Sequence, residues 1–204
     1  MCADRLLGMA QNAGANTIMT EQTRPHRMPG DLSKEDMLEQ MIRVDHAGEY
    51  GAVRIYEGQL AVLGQSKDRP DIEHMAAQER VHLDKFNQLI RANRVRPTAL
   101  MPLWHVAGFA LGAGTALMGE KAAHACTVAV EEVIDEHYAE QVSALDAEGD
   151  QQELRDTFEA FRLEELEHRE TALEKGAEEA PGYEALKLAV KTGSKLAIWL
   201  SKKV

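Results

Sequence analysis

The sequence is poor in aromatic residues, proline and cysteine. Aromatics make up 5% of the 204 residues and there are only six prolines, whereas alanine, leucine and glutamate are plentiful. This composition argues against a β-rich fold and favours helices. The two cysteines, Cys2 and Cys126, form no C-x-x-C pair, so we expect neither a disulfide framework nor a catalytic thiol. We predict an all-α fold in a single domain.

Net positive charge and long apolar runs are also missing. The formal net charge is −11, which argues against nucleic acid as the main partner, because phosphate backbones attract clustered lysine and arginine. The first thirty residues lack the apolar core of an export signal. We interpret residues 1–30 as a flexible N-terminal arm that precedes one domain over 31–204. The apolar segment 103–118 is shorter than the ~20 residues of a membrane span, so no transmembrane helix is expected.

Start and stop signals divide the domain into helices. Ser33 can cap the first helix, and Pro70 suits the first turn of the second. The predicted helices run from about Ser33 to Gly64, from Pro70 to Arg94, in two pieces from Leu103 to Asp146, from Gln152 to Lys175, and onward from Pro181-Gly182. The sequence therefore predicts a four-helix bundle with additional peripheral helices.

The four long helices share one anomaly. Residues spaced alternately three and four apart fall on one face of a helix, and in each helix acids or histidines replace central hydrophobes of that face. Ionised carboxylates in a bundle interior would cost several kcal/mol each, and a fold worth about 5–15 kcal/mol cannot carry that cost. No lysine or arginine occupies the central positions, so metal ions are the simplest source of positive charge to balance the carboxylates. The six candidate ligands are Glu49, Glu79, His82, Glu131, Glu165 and His168.

These candidates form two Glu-x-x-His pairs and two single glutamates. Ferritin-like carboxylate bundles, which hold two irons or manganeses, have this arrangement. A glutamate and a histidine at i and i+3 can reach one ion, while the single glutamates bridge or terminate the pair. Asp45 and Asp135 lie one turn from Glu49 and Glu131, and we expect them to orient histidine ligands; the alternative is polar residues at the mouth of the bundle. A purely structural bundle without metal also stays open.

Four segments resemble the COQ7-type demethoxyubiquinone hydroxylases. They are RVDHAGEYGAVRIYEGQ (43–59), QERVHLDKF (78–86), CTVAVEEVIDEHY (126–138) and FRLEELEHRE (161–170). The resemblance implies a ferritin-like monooxygenase of ubiquinone biosynthesis that uses O2 to hydroxylate the demethoxyubiquinol ring, with the six candidates as ligands of two iron ions. An iron-storage or peroxide-handling ferritin relative would use the same ligands and is the alternative.

The resemblance also implies an electron supply. NADH or the quinol itself would be the source, although no Gly-rich nucleotide fingerprint is present. Tyr138, with His137 beside it, would belong to the electron route to the irons. From the sequence alone, Tyr138 is a residue of the helix face one turn past Asp135, and core packing explains it better.

Peripheral attachment to the membrane that holds the quinone is a further implication. That membrane would be the bacterial inner membrane at its cytoplasmic face, or the mitochondrial inner membrane at its matrix side. The segment 103–118 and a basic amphipathic helix over 182–204 favour this interpretation, because Lys187, Lys191 and Lys195 share one face and suit an anionic surface. The alternatives are an ordinary core helix and a docking helix with solvated lysines. The sequence is also compatible with a homo-oligomer, and these ligand types do not distinguish iron from manganese.

Overall fold

Helices account for nearly all of the structure. The computed structural model describes residues 27–204, which form six α-helices and a 3-10 turn over Ala177–Glu179, with no strand in this range. The helices are α1 (Lys34–Leu63), α2 (Arg69–Ala92), α3 (Met101–Leu117), α4 (Glu120–Glu148), α5 (Gln152–Glu174) and α6 (Tyr183–Ser201). The predicted all-α fold is confirmed. Most of the predicted arm over 1–30 lies outside the described residues, as does Cys2.

Local signals end the helices close to the predicted positions. The backbone N–H of Asp36 donates to Ser33 Oγ at 3.1 Å and caps α1, and Pro70 occupies the first turn of α2. Gly119 separates α3 from α4 at a φ of 114°, a conformation that favours glycine. The interrupted pattern between Leu103 and Asp146 thus marks two helices joined by a glycine.

Four of the helices form the bundle. α1 packs along α2, and α4 packs along α5; the short connection within each pair makes its helices antiparallel. α3 lies against α1 and α6 lies mainly against α4, both outside the bundle. The architecture is a ferritin-like four-helix bundle with two peripheral helices, as predicted.

Two of the four apolar core clusters within residues 27–204 include residues of α2. The first contains Tyr56, Ile72, Met75 and Ala76. The second contains Phe86, Tyr138, Val142, Leu145, Phe158 and Phe161. In α2, Glu79 and His82 fall between the residues of the two clusters, and both are buried. A polar layer therefore crosses the middle of an otherwise apolar interior.

Glycines allow α3 to approach α1 closely. A Cβ on Gly112 would lie 1.9 Å from the carbonyl oxygen of Ile55, and one on Gly58 would lie 2.3 Å from the carbonyl oxygen of Phe109. No side chain larger than hydrogen fits at either position unless the backbones separate. The apolar segment 103–118 is thus a helix held tightly on the outside of the bundle.

The basic face of α6 is turned towards α4. Lys187 and Lys191 pair with Glu132, and Lys191 and Lys195 pair with Glu136. These lysines therefore pair with acids of the same chain, and Lys195 remains 56% exposed. Three large apolar side chains of α6 are also exposed, namely Leu188, Leu196 and Trp199. No helix within residues 27–204 combines the length and apolar character needed to cross a membrane.

Candidate metal centre

The structure brings all six predicted ligands together in the polar layer. Each is no more than 4% exposed, and each of the four bundle helices contributes at least one of them. Their ligand atoms form two groups in which all atoms lie within 4.8 Å of one another. The first group is Glu49, Glu79, His82 and Glu165; the second is Glu79, Glu131, Glu165 and His168. Glu79 and Glu165 belong to both groups, so they are the carboxylates placed to bridge two ions.

Both histidines direct Nδ1 at the shared carboxylates. His82 Nδ1 lies 3.1 Å from Glu165 Oε1 and 3.4 Å from Glu49 Oε2. His168 Nδ1 lies 3.1 Å from Glu165 Oε2 and 3.2 Å from Glu79 Oε1. Each histidine therefore approaches the glutamate of the other Glu-x-x-His pair, but only His168 also lies close to the glutamate of its own pair, since His82 Nδ1 is 4.0 Å from Glu79.

Several buried atoms of this cluster have no hydrogen-bond partner. They are Glu49 Oε2, both carboxylate oxygens of Glu79, and His82 Nδ1, whose close oxygens lack hydrogen-bonding geometry. Unpaired buried polar atoms are costly, and these converge on one space. Carboxylate oxygens and imidazole nitrogens are a donor set that suits iron or manganese. The residues present therefore fit a pair of such ions.

The electrostatics of the cluster also favour the binding of cations. Within residues 27–204, no lysine or arginine pairs with any of its four carboxylates. Burial raises the pKa of Glu49, Glu79 and Glu131. Burial opposes the charge of Glu165 too, yet the adjacent imidazoles of His168 and His82 hold its pKa at about 2. In the metal-free protein, protons thus supply the positive charge, and cations binding here would displace them.

Two tyrosines donate hydrogen bonds to the unshared glutamates, Glu49 and Glu131, each of which belongs to only one ligand group. The Tyr138 hydroxyl of α4 donates to Glu49 of α1, and the Tyr56 hydroxyl of α1 donates to Glu131 of α4 at 3.2 Å. Each tyrosine follows a ligand glutamate by seven residues and serves the glutamate of the other helix. Tyr138 is among the residues predicted from the sequence and Tyr56 is not, although the repeated Glu-x6-Tyr spacing was a signal for both.

The outer nitrogens of the two histidines contact residues that the sequence analysis did not select. His82 Nε2 lies 3.0 Å from Glu164 Oε2, and His168 Nε2 lies 3.1 Å from Gln78 Oε1. Glu164 and Gln78 each immediately precede the glutamate of a Glu-x-x-His pair. Their position in the motif was the available signal.

The two predicted orienting aspartates do not contact the ligand histidines. Asp45 is buried and accepts from Gln141 at 2.9 Å, with His137 Nε2 at 3.2 Å. Asp135 is part-exposed and binds the Arg162 guanidinium at 2.7 Å. The expectation for Asp135 is wrong, because a cation on α5 draws it away from the cluster. Asp45 does orient a histidine, but it is His137 rather than a candidate ligand.

An apolar cavity of about 320 Å³ lies beside the cluster, between α1, α3, α4 and α6. Gly48 and Val130 line it, and they immediately precede Glu49 and Glu131. The remaining walls include Ile55, Trp104, Leu111, Ile134 and Ala197. The cavity can therefore hold an apolar molecule on the outer side of α1 and α4, although none of the six ligands is among its lining residues.

The fold and this site define a ferritin-like carboxylate bundle with a candidate dinuclear metal centre. Comparisons with known proteins narrow that class. The model of the family described as "Ubiquinone biosynthesis protein COQ7" matches residues 36–201. The chain belongs to this family.

Similar proteins extend over most of the chain. It is 54% identical over 184 residues to a Rhodospirillum rubrum 3-demethoxyubiquinol 3-hydroxylase, covering 90% of this chain and 86% of the relative. It is 53% identical over 169 residues to the human mitochondrial NADPH-dependent 3-demethoxyubiquinone 3-hydroxylase, covering 82% and 78%. A Saccharomyces cerevisiae mitochondrial 5-demethoxyubiquinone hydroxylase is 40% identical, covering 82% and 78%.

Proposed function

We propose that this chain is a di-iron monooxygenase that hydroxylates the demethoxyubiquinol ring in ubiquinone biosynthesis, with O2 as oxidant. The observation that carries the proposal is the pair of four-residue ligand groups, which share Glu79 and Glu165 next to an apolar cavity. Family membership supports it, because relatives that match most of the chain are named as hydroxylases of this substrate. When bound, two irons would supply the redox chemistry and O2 activation that these side chains cannot provide.

The side chains of this protein have separate tasks in the proposal. The six ligands hold the ions, and Tyr56 and Tyr138 fix the orientation of Glu131 and Glu49 by hydrogen bonds. The apolar walls of the cavity exclude water and place the quinol ring beside those two glutamates. The isoprenoid tail leaves between α3 and α6, whose exposed faces are apolar.

Tyr138 and His137 are our proposed electron route. Contact between the Tyr138 hydroxyl and Glu49 supports a path that reaches the cluster. His137 is held by Asp45 and Gln141 and lines a smaller cavity near Lys202. NADH is the expected reductant, but several relatives are named as NADPH-dependent. Rates measured with each nucleotide at equal concentration identify the donor.

We also propose peripheral binding to the membrane that contains the quinone. Exposed apolar side chains support it, notably Leu103 and Val106 on α3 and Trp199 on α6, each more than half exposed. In a bacterium the surface is the cytoplasmic face of the inner membrane, and in a mitochondrion it is the matrix side. A homo-oligomer is compatible with the same faces. Flotation with quinone-containing vesicles tests the membrane proposal, and light scattering tests the oligomer.

Iron storage or peroxide handling is the less favoured alternative. It would need the same ligands but has no use for an apolar cavity beside the unshared glutamates. The names of the relatives also disfavour it.

Complementation of a strain that lacks its own demethoxyubiquinone hydroxylase tests the proposed function. The intact chain should restore ubiquinone, as measured by mass analysis of extracted quinones, and Glu131→Ala should not. Glu140→Ala is the matched control, because Glu140 lies on the same helix but is exposed. Normal ubiquinone in the Glu131→Ala strain would refute the di-iron assignment, and failure of the intact chain would refute the activity.

A further inference from the structure

The outer nitrogens of the two histidines are connected by one hydrogen-bonded chain. Glu164 Oε2 lies 3.0 Å from His82 Nε2 and accepts from Gln78 Nε2 at 3.3 Å. The Oε1 atom of the same Gln78 lies 3.1 Å from His168 Nε2. Glu164 and Gln78, defined here as the outer bridge, thus join the two Glu-x-x-His pairs on the side of α2 and α5. The apolar cavity lies on the side of α1 and α4.

Chemistry fixes the direction of every hydrogen bond in the outer bridge. An ionised carboxylate only accepts, so both His82 Nε2 and the Gln78 amide nitrogen donate to Glu164. The Gln78 oxygen is then left to accept from His168 Nε2. Both histidines consequently carry a proton on Nε2, and both present Nδ1 to the cluster as the atom that binds an ion.

The two ends of the outer bridge are not equivalent. His82 donates to a carboxylate, whereas His168 donates to a neutral amide. A charged acceptor makes the imidazole a stronger electron donor at its other nitrogen. In the described part of the chain, no lysine or arginine pairs with Glu164, so its charge is committed to His82 and Gln78. The side chain is 41% exposed, which spares it most of the cost of burying a charge.

We propose that Glu164 and Gln78 are positioning residues that make the two ion sites unequal. Glu164 strengthens the site that contains His82, and Gln78 orients His168 and keeps Glu164 in place. The His82 site therefore binds the first ion. This inference rests on the proposed dinuclear centre and adds an order of loading to it.

Metal-binding isotherms of the full-length protein test the proposal. Metal-free protein is mixed anaerobically with Co²⁺, whose absorption bands report the coordination of each ion. The wild type should bind two ions in two resolved steps. Glu164→Gln should weaken the tighter step by about 10- to 100-fold and leave the weaker step unchanged. Gln78→Leu should act chiefly on the weaker step. Glu167→Gln is the control, because Glu167 lies on the same helix and is exposed.

Histidine NMR of the Zn²⁺-loaded protein gives a second readout. Nitrogen spectra should show protonated Nε2 and ion-bound Nδ1 in both His82 and His168, and Glu164→Gln should shift the Nε2–H signal of His82 alone. Binding of the ion through Nε2, or a Glu164→Gln protein that weakens both steps equally or neither, would overturn the proposal. If the wild type bound fewer than two ions, the dinuclear function itself would fail. If the wild type binds two ions tightly and Glu164→Gln leaves both binding steps unchanged, only the proposed role of the outer bridge is refuted.

Discussion

Glu79→Gln should weaken the pH dependence of stability that the polar layer imposes on the metal-free protein. Burial and the charges of Glu165 and Glu49 raise the pKa of Glu79 well above 4.5. Above pH 4.5 the folded state therefore keeps a proton that the unfolded state has released. Stability then falls as the pH rises, by about 1.4 kcal/mol per pH unit for this one group. The loss continues until the pH reaches the pKa of the folded state.

The variant removes this group while it keeps the shape of the side chain. Relative to the wild type, Glu79→Gln should gain about 1.4 kcal/mol of stability per pH unit above pH 4.5, until the pH reaches the folded-state pKa of Glu79. For a chain of this size, this corresponds to roughly 3–5 °C of melting temperature per pH unit. Below pH 4.5 the two proteins should melt together, because the wild-type carboxyl is then protonated in both states. The same variant should fail to bind two ions, since Glu79 belongs to both ligand groups.

Calorimetry of the chelator-treated full chain measures this effect. Glu167→Gln, an exposed acid-to-amide change, should follow the wild type at every pH. A wild-type melting temperature that rises from pH 5 to 8, or a Glu79→Gln protein with the wild-type slope, would refute the account of the polar layer. His82 adds to the wild-type slope above pH 6.5: burial lowers its pKa, but Glu165 and Glu49 raise it to about 12.

Three further predictions concern the surroundings of the site. Tyr138→Phe removes the hydroxyl that donates to Glu49; product formation should fall while two irons still bind, and loss of iron would contradict this. Gly112→Ala should cost about 1–3 kcal/mol of unfolding free energy, because the new Cβ would lie 1.9 Å from a backbone oxygen of α1. Gly114→Ala, with open space around it, should cost nothing in the same melts. Ala197→Trp should fill the apolar cavity and raise the KM for a short-chain quinol without changing iron content; an unchanged KM would place the quinol elsewhere.

Helix boundaries and the six candidate ligands could be predicted because their signals are local. Caps and breakers act within a few residues, and the defect in the apolar stripe recurs once in each long helix. Asp45 and Asp135 show the limit of that reasoning, since both stand four residues from a ligand glutamate. One is buried against His137 and the other is drawn out by Arg162. Helical phase alone cannot foresee that difference.

The partners of the α6 lysines and the outer bridge were missed for a related reason. A basic stripe has no assigned partner in a sequence, and the acids that neutralise it, Glu132 and Glu136, belong to another helix. In the sequence, Glu164 is marked only by its position directly before Glu165 of the Glu-x-x-His motif. Its role depends on the packing of α2 beside α5, which brings His82 Nε2 within hydrogen-bond distance of Glu164. Contacts between distant segments, rather than propensity, determine these roles.

The sharing of Glu165 between the two ligand groups sets the time at which the protein can acquire its metal. During synthesis the ribosome releases α1, α2 and α4 before α5, so the nascent chain already holds Glu49, Glu79, His82 and Glu131. Neither group is complete at that stage, because each requires Glu165. Full coordination thus waits until the second helical pair has closed on the first. A bound iron content of two ions per chain would then indicate that folding is complete. An unfinished chain would bind redox-active iron through only some of the ligands.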